Sequence, residues 1–285
     1  MLNKYEYIKV LTETMQQIKK LSGYTIVIKY GGAAMVNRTL KTHVVHDIIF
    51  FSHIGLNPIL VHGGGSTINF WLDQLSITPV FKNGVRVTDE KTMQVVEMVL
   101  AGKINKELVT MINVSGGSAV GLCGKDGKFV LAKPQNLETM GLVGNIVSIN
   151  PKIIDLLLSR KYIPVIASIA YDKLGQSYNI NADTLASQLA VALSAEKLVF
   201  LTDTPGILAN INNPETLIKN LNIDQAKQLE KEGIISGGMI PKVHSCIYSL
   251  QNGVASAHII NGQEPHSLLF ALLTDQGSGS TLTNC

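Results

Sequence analysis

Residues 25–32 read TIVIKYGG and residues 58–66 read PILVHGGGS, so each stretch is a short apolar run that ends in glycines. Such runs, rich in β-branched residues and bounded by glycine, are typical of buried strands. Longer segments with helical periodicity separate them, for example 39–53, 66–75 and 182–193. Continuous apolar strands that alternate with helices predict an α/β fold, in which a mostly parallel sheet is covered on both faces.

The same patterns predict the remaining elements of the sheet. Further strands are expected at 118–122, 129–132, 145–149, 163–169, 198–202 and 258–260. Further helices are expected at 89–104, 151–160 and 240–252. Residues 129–149 break the alternation, because short strands with glycine-rich turns follow each other directly. This segment is interpreted as a β-hairpin flap.

Residues 1–20 are expected to form a helix of their own. Apolar side chains recur there at helical spacing, at Ile8, Leu11, Met15 and Ile18. This stripe would either pack on its own domain or be exchanged with a neighbouring subunit. The least patterned stretch of the chain, residues 171–178, predicts a boundary between a domain over 21–175 and a second one over 176–285.

The composition excludes several classes of protein. The 285 residues are 46% hydrophobic and 16% charged, which indicates a folded chain with a substantial core. Lys and Arg number 24 against 21 Asp and Glu, so nucleic-acid binding is not expected. No apolar stretch approaches the ~20 residues of a membrane span, and the first residues are too polar for a signal peptide. Three distant cysteines fit neither a disulfide framework nor a metal site. We therefore expect a soluble protein of a reducing compartment.

Glycine loops follow the first two predicted strands, at Gly31–Gly32 and Gly63–Gly65. Ligands of open parallel sheets bind where strands end and helices begin. Glycine lets the backbone approach an anion, and a helix N-terminus adds unpaired N–H donors. The two loops would together hold a phosphate or a carboxylate, and tight turns alone are the alternative. Neither GxxxxGK[ST] nor GxGxxG is present, so P-loop and dinucleotide sites are not supported.

Few charged side chains lie near the predicted strand ends. Lys29 closes the first strand, and Lys242 follows Gly237–Gly238 and begins a helix. Lysine at a helix start is disfavoured by the helix dipole, so an anionic ligand would explain Lys242, although either lysine could be an ordinary surface residue. Asp183 begins another helix and could simply be its N-cap. Arg86, between two valines, needs an anionic partner if it is buried.

The histidines do not define a site by their spacing. His43 and His46 share a helical face, but no third metal ligand lies nearby in the sequence. His62 adjoins the second glycine loop and could either orient it or be structural. No arrangement of Ser, His and Asp, or of Cys and His, is indicated.

Six segments in series carry a resemblance to a known family. They are KYGG at 29–32, VHGGG at 61–65, NGVRVTD at 83–89, NINAD at 179–183, LTDTPGIL at 201–208 and IISGGMIPKV at 234–243. Together they resemble the amino-acid kinase superfamily and, within it, the N-acetylglutamate kinases, over nearly the whole chain. The resemblance implies an open αβα sandwich around a mainly parallel, about eight-stranded sheet.

The resemblance also implies an activity. It is transfer of the γ-phosphoryl group of ATP to the side-chain carboxylate of N-acetyl-L-glutamate, a step of arginine biosynthesis, with Mg²⁺ carried by the ATP phosphates and no protein metal ligand. Lys29 and Lys242 would be catalytic by stabilising the phosphoryl group, and Asp183 by orienting both lysines. Substrate-binding residues would be Gly64, Gly65, Arg86 and Asn179. Residues that bind the phosphates and the nucleotide would be Gly31, Gly32, Gly63, Thr202, Asp203, Gly237 and Gly238.

Assembly and regulation are implied as well. Members with an N-terminal helix resemble ring-shaped homohexamers that arginine inhibits, and some bind a PII-type signalling protein. In their arginine site a histidine matches His258, whereas a glutamate falls at Ala271 here, so weak arginine binding is expected unless Glu264 or Asp275 compensates. The compartment would be a bacterial cytoplasm or a plastid stroma. Alternatives are a carbamate, glutamate, aspartate or uridylate kinase of the same superfamily, or a non-catalytic regulatory subunit.

Overall fold

The structure, a computed structural model, describes residues 4–32, 35, 37–82, 84–274 and 278–284. Asn83 of the NGVRVTD segment and Asp275 lie outside the described residues. The strands are β1 (Thr25–Tyr30), β2 (Asn57–His62), β3 (Phe81–Lys82), β4 (Val85–Arg86), β5 (Ala119–Cys123), β6 (Val130–Pro134), β7 (Gly144–Ile149), β8 (Ile163–Ala167), β9 (Ile169–Tyr171), β10 (Ser177–Asn179), β11 (Lys197–Thr202), β12 (Asn220–Asn222), β13 (Ser256–Asn261) and β14 (Ser280–Thr283). The α-helices are α1 (Lys4–Leu21), α2 (Arg38–His53), α3 (Gly65–Gln74), α4 (Glu90–Glu97), α5 (Asn105–Val114), α6 (Leu137–Met140), α7 (Lys152–Ser159), α8 (Ala182–Ala192), α9 (Ile223–Lys231), α10 (Ile240–Gln251) and α11 (Ser267–Leu273).

A central sheet of eight strands has the order β12–β14–β13–β11–β1–β2–β8–β5. Neighbouring strands are parallel except β13 and β14, which are antiparallel. The predicted mainly parallel, eight-stranded sheet is therefore confirmed. Because β1 lies between β2 and β11, the segments that follow these three strands meet at one edge of the sheet.

Two hydrophobic cores cover the two faces of this sheet. Side chains of β1 alternate between them: Ile26 and Ile28 belong to one core and Val27 to the other, as the pleat of a strand requires. Helices α2 to α5 and α11 contribute to the first core, and α7 to α10 contribute to the second. The chain is thus the predicted αβα sandwich.

The predicted flap over residues 129–149 is a hairpin of β6 and β7, and β9 and β10 extend it to a four-stranded sheet. The single strand predicted over 163–169 is wrong, because β8 ends at Ala167 in the central sheet and β9 belongs to the flap.

The domain boundaries stay a prediction. Residue 175, where the boundary was placed, lies in the turn that joins the paired strands β9 and β10.

The helix predicted over 89–104 is longer than expected. It begins at Glu90, where the Asp89 side chain accepts the Thr92 N–H at 2.7 Å, and continues from α4 through a π-helical stretch, Met98–Ile104, into α5. Gly102 weakens the helical pattern close to the predicted end at residue 104. Burial of α5 side chains such as Leu108 and Ile112 compensates for that weakness.

The predicted N-terminal helix is confirmed as α1. Most of its apolar stripe faces solvent, with Ile8 54%, Leu11 62% and Met15 70% exposed. The C-terminal end of α1 packs on the central sheet's first core through Leu21, which is buried there. Within the described ranges, no helix combines the length and the apolar character that crossing a membrane would need.

Candidate active site

A cleft of about 510 Å³ opens at the carboxyl edge of β1 and β2. The two predicted glycine loops, Gly31–Gly32 and Gly63–Gly65, line it together with the start of α8. Lys29 from β1 and Asp203 from the end of β11 complete its charged lining. Segments distant in the sequence therefore converge at the edge where open parallel sheets bind their ligands.

Asp183 joins the two lysines that the sequence singles out. One of its carboxylate oxygens lies 2.9 Å from Lys29 Nζ, and the other lies 2.8 Å from Lys242 Nζ. Burial raises the pKa of the Asp183 carboxyl, but the two ammonium groups outweigh burial and hold this pKa below its ordinary value. The carboxylate is therefore ionised. Two positive charges share this one carboxylate, and Asp203 adds a second negative charge to the lining of the cleft.

The start of α8 explains why Asp183 reaches the lysines. The N-cap alternative for Asp183 is wrong, because the Asn181 side chain caps this helix by accepting the N–H groups of Asp183 and Thr184 at 2.9 and 3.0 Å. Asp183 sits in the first turn and is free of that task. Sequence reasoning missed Asn181, which also lines the cleft. The preference of Asn for N-caps was a usable signal within NINAD.

The first glycine loop is shaped by close charged neighbours. Gly32 has φ +74, a left-handed conformation that favours glycine, and a Cβ there would collide with the Asp203 carboxylate. A Cβ on Gly31 would lie 2.6 Å from Lys29 Nζ. Side chains at these two positions would therefore displace the charged groups of the cleft.

In the second glycine loop, packing restricts one position, Gly64. None of Gly63–Gly65 has the left-handed φ that favours glycine, so the tight-turn alternative does not account for them. A Cβ on Gly64 would overlap Leu100 and Ile104, whereas a Cβ on Gly65 would meet nothing within 4 Å. Gly64 is the N-cap of α3 and supplies no side-chain cap. Backbone N–H donors at this helix start are therefore available to an anion.

A second cavity of about 170 Å³ adjoins the cleft, since Gly63–Gly65 line both. Arg86 and Asn179 line this cavity from β4 and β10. Arg86 is 7% exposed, which excludes the surface interpretation. Its guanidinium lies 4.7 Å from the centre of the Phe81 ring. This arrangement holds a positive charge beside a small cavity.

The Arg86 guanidinium uses only part of its hydrogen-bonding capacity within the described residues. Nη2 donates to the Gly65 carbonyl at 3.2 Å and to Asn69 Oδ1 at 2.6 Å. Nη1 is buried and has no hydrogen-bond partner there. A buried cationic donor without a partner is costly, and a carboxylate ligand would satisfy it. Asn69, one helical turn after Gly65, was missed by sequence reasoning because no motif includes it.

Asn179 is connected to the same cavity through Thr88. The Asn179 amide donates to Thr88 Oγ1 at 3.2 Å, and Thr88 Oγ1 donates to the Arg86 carbonyl at 2.9 Å. Strands β4 and β10 are thereby tied together beside the cavity. The four residues that the resemblance assigns to substrate, Gly64, Gly65, Arg86 and Asn179, all line this cavity.

The residues expected to bind nucleotide do not all line the main cleft. Asp203 and the first glycine loop line the main cleft, whereas Thr202, Gly237 and Gly238 do not. Thr202 Oγ1 donates instead to the Thr204 carbonyl at 3.0 Å. Gly237 and Gly238 form a 3₁₀ turn before α10. Residues flanking this turn and the end of β11 line a separate, mostly apolar cavity: Thr204, Gly206, Ile207, Leu208, Ile211, Ile234, Ile235, Ser236 and Met239.

The fold and this cleft together define an α/β enzyme of phosphoryl transfer. Such transfer asks mainly for positioning and for neutralisation of charge. Ammonium groups that meet on one carboxylate beside glycine loops are groups of the kind that this chemistry uses. The amino acid kinase family matches residues 24–261, and the chain belongs to this family. It is therefore a kinase.

Relatives agree with this assignment, and a solved structure has the same fold. Acetylglutamate kinase of Porphyra purpurea is 56% identical over 282 residues, which are 99% of each chain. Acetylglutamate kinase of Thermosynechococcus vestitus is 53% identical over 282 residues, 99% of this chain and 96% of its own. The solved N-acetylglutamate synthase from Neisseria gonorrhoeae, with coenzyme A and N-acetyl-glutamate, has a TM-score of 0.86 at 24% identity. That match covers 97% of this chain and 63% of the synthase, and it shows a shared fold.

Proposed function

We propose that the protein transfers the γ-phosphoryl group of ATP to the side-chain carboxylate of N-acetyl-L-glutamate. The main support is that Lys29 and Lys242 both pair with Asp183. Asp183 lines a cleft that adjoins the Arg86 cavity. Curated relatives named acetylglutamate kinase, more than 50% identical over nearly the whole chain, support the same activity.

In this reaction the lysines have the central role. Lys29 and Lys242 would neutralise the charge of the migrating phosphoryl group, and Asp183 would keep both ammonium groups at the cleft. The attacking group is a carboxylate, which is already ionised at neutral pH because its ordinary pKa is about 4.3. No general base is therefore needed, which agrees with a mechanism that uses neither histidine nor cysteine.

The cavity beside the cleft suits the rest of the substrate. Arg86 would pair through its buried Nη1 with the α-carboxylate of N-acetyl-L-glutamate. Asn179 would contact the amide end, and Gly64 and Gly65 would contact the substrate through their backbone. A reactive carboxylate held this way points from the cavity toward the lysines, since Gly63–Gly65 border both spaces.

ATP would enter from the other side of the cleft. Gly31, Gly32 and Gly63 would bind its phosphates, and Thr202, Asp203 and the turn of Gly237–Gly238 would shape the nucleotide site. Mg²⁺ would bind together with ATP, because proteins usually hold this ion through one or two carboxylates and the phosphates of the substrate. Among the described residues, no group of three or more His, Cys, Asp or Glu side chains could hold a metal, and the Asp183 carboxylate is already paired with two lysines.

The experiment is ADP release by the purified full chain with a panel of acceptors. N-acetyl-L-glutamate should stimulate release, whereas carbamate, glutamate, aspartate and UMP should not. Release with one of those acceptors instead would assign another kinase of the family. Absence of phosphoryl transfer to every acceptor would favour the regulatory-subunit alternative.

We also propose a homohexamer joined in part by α1. The exposed apolar stripe of this helix would be covered by a neighbouring copy, because apolar side chains in such a row gain free energy on burial. Light scattering of the full chain and of Leu11→Glu should then give a smaller assembly for the variant. An unchanged mass would contradict this role of α1.

Regulation and compartment complete the proposal. Arginine should inhibit weakly, because Ala271 offers no carboxylate where the family's arginine site has glutamate. Micromolar inhibition in a titration would contradict this expectation.

A PII-type signalling protein is proposed as a partner, to be tested by co-elution with a PII protein. Red algal and cyanobacterial relatives suit either a plastid stroma or a bacterial cytoplasm.

A further inference from the structure

His62, the last residue of β2, lies beneath the second glycine loop and is fully buried. Its Nδ1 lies 3.0 Å from the Gly63 carbonyl, and its Nε2 lies 3.1 Å from Asn105 Nδ2. Asn105 is 1% exposed, and its amide nitrogen also donates to the Val165 carbonyl at 2.9 Å. A buried network therefore connects the glycine loop to α5 and to β8.

The partners of His62 determine which ring nitrogen carries the proton. Asn105 Nδ2 can only donate, so His62 Nε2 accepts. Nδ1 then carries the hydrogen and donates it to the Gly63 carbonyl. Burial lowers the pKa of His62 to about 4, and the nearby Lys106 lowers this pKa as well. The imidazole is therefore neutral near neutral pH, and a single tautomer holds the carbonyl.

The π-helical stretch explains how Asn105 reaches His62. The extra residue of a π-turn changes the side-chain phase of the helix, and such turns often occur at functional sites. Here the stretch Met98–Ile104 brings Leu100 and Ile104 against Gly64 and ends directly before Asn105. Gly121 on β5 leaves room for the amide, since a Cβ at that position would collide with Asn105 Oδ1.

The hydrogen bond from His62 fixes the plane of the Gly63–Gly64 peptide. The described peptides are trans, so the carbonyl of Gly63 and the N–H of Gly64 point in opposite directions. Holding the carbonyl inward on His62 directs the Gly64 N–H away from the core. Gly64 lines both the main cleft and the Arg86 cavity, so its N–H is directed to the region where these spaces join.

We propose that His62 and Asn105 are positioning residues that hold the Gly64 N–H toward the oxygens between which the phosphoryl group moves. This inference rests on the proposed function. Neither residue touches the reacting atoms; each acts through the glycine backbone. Without the pair, a peptide flanked by glycines would rotate easily, because glycine restricts the backbone least.

The first test separates a positioning role from a purely structural one. His62→Leu and Asn105→Leu should lower kcat about 10–100-fold and leave both KM values within about threefold, because a misdirected donor weakens the transition state more than binding. His62→Asn places an amide N–H near the former Nδ1, so its kcat should be at least about tenfold higher than that of His62→Leu. Asn113→Leu is the matched control on the same helix and should keep kcat. It removes the hydrogen bond that Asn113 Oδ1 accepts from the Ala119 N–H.

Retention of kcat in His62→Leu, or no recovery in His62→Asn, would overturn the proposal. If His62→Leu does not fold, NMR of the ¹⁵N-histidine-labelled wild type decides, with the resonance assigned through His62→Asn. A neutral Nδ1–H tautomer from pH 6 to 8 is expected, and an Nε2–H tautomer would contradict the network. A wild type that phosphorylates no N-acetyl-L-glutamate would refute the proposed function, while the NMR result would still test the positioning of the loop.

Discussion

Lys29 and Asp183 form an ion pair of 2.9 Å, although Lys29 belongs to a central strand and Asp183 to the first turn of a later helix. The second oxygen of the same carboxylate binds Lys242 from α10. Asp183 thus holds two ammonium groups together that would otherwise repel each other. The positive charge is already placed before an anionic ligand arrives, which is the arrangement that favours electrostatic catalysis.

Removal of either lysine should reduce turnover strongly. We expect Lys29→Ala and Lys242→Ala each to lower kcat on the order of 10²–10³-fold, the usual loss for one transition-state donor. Steady-state ADP release measures this effect. Lys152→Ala, at an exposed position of α7, is the matched control and should have wild-type kcat. Turnover within tenfold of wild type in either cleft variant would contradict the assigned role.

The ion pairs of Asp183 should make stability depend on pH. The native pKa of this carboxyl is lowered, so its contribution to stability is complete above the unfolded-state pKa of about 3.9 and is lost as pH falls through the native value. Asp183→Asn should therefore lower the free energy of unfolding at pH 7, and its difference from wild type should shrink below about pH 4. Urea unfolding of the wild type and of Asp183→Asn at pH 7 and pH 3.5 measures this difference in the free energy of unfolding.

A matched control for this pH dependence is Asp155→Asn, at an exposed position of α7. Its free energy of unfolding should stay close to the wild-type value at both pH values. A destabilisation of Asp183→Asn that grows on acidification would contradict the assigned ion pairs.

The sheet and the charged residues of the cleft could be predicted from the sequence, for a physical reason. Strands buried on both faces leave continuous apolar runs, so β1, β2 and β11 were found nearly to the residue. Lys29 and Lys242 stood out because each lies beside a pair of glycines, and Asp183 stood out because it begins a helix. Their mutual distances could not be predicted from spacing, since they depend on how β1, α8 and α10 pack in three dimensions.

What the sequence missed depends on contacts between distant segments. Asn69 belongs to an ordinary helical pattern and Asn105 lies just beyond a predicted helix, and only the fold shows that they bind Arg86 and His62. Short strands such as β10 and β14 lack a pattern of their own, because three or four residues show no clear period. The extension of the helix beyond residue 104 was hidden by the π-helical stretch, which shifts the apolar face.

Arg86 should govern substrate affinity more than turnover. Its Nη1 is the buried donor without a partner in the described chain, so its loss removes one charge-assisted contact to the substrate carboxylate. Such contacts contribute about 1.5–3 kcal/mol, which predicts a KM for N-acetyl-L-glutamate about 10–150-fold higher in Arg86→Ala. Arg160→Ala, at an exposed helix end, should leave KM unchanged. An unchanged KM in Arg86→Ala would exclude this arginine from substrate binding.

Gly64 and Gly65 offer a direct test of why the second loop contains three glycines. A Cβ at Gly64 would overlap Leu100 and Ile104, whereas the same atom at Gly65 would meet open space. Overpacking a close contact costs roughly 1–3 kcal/mol, so Gly64→Ala should lower the free energy of unfolding by that amount and Gly65→Ala by much less. Urea unfolding of both variants, in the absence of ligands, makes the comparison at neighbouring positions of one loop. Gly64→Ala should then cost less in a Leu100→Ala background than in the wild type, because one of the two colliding side chains is already removed. Equal destabilisation at the two positions would mean that packing against the π-helical stretch does not explain the glycine at 64.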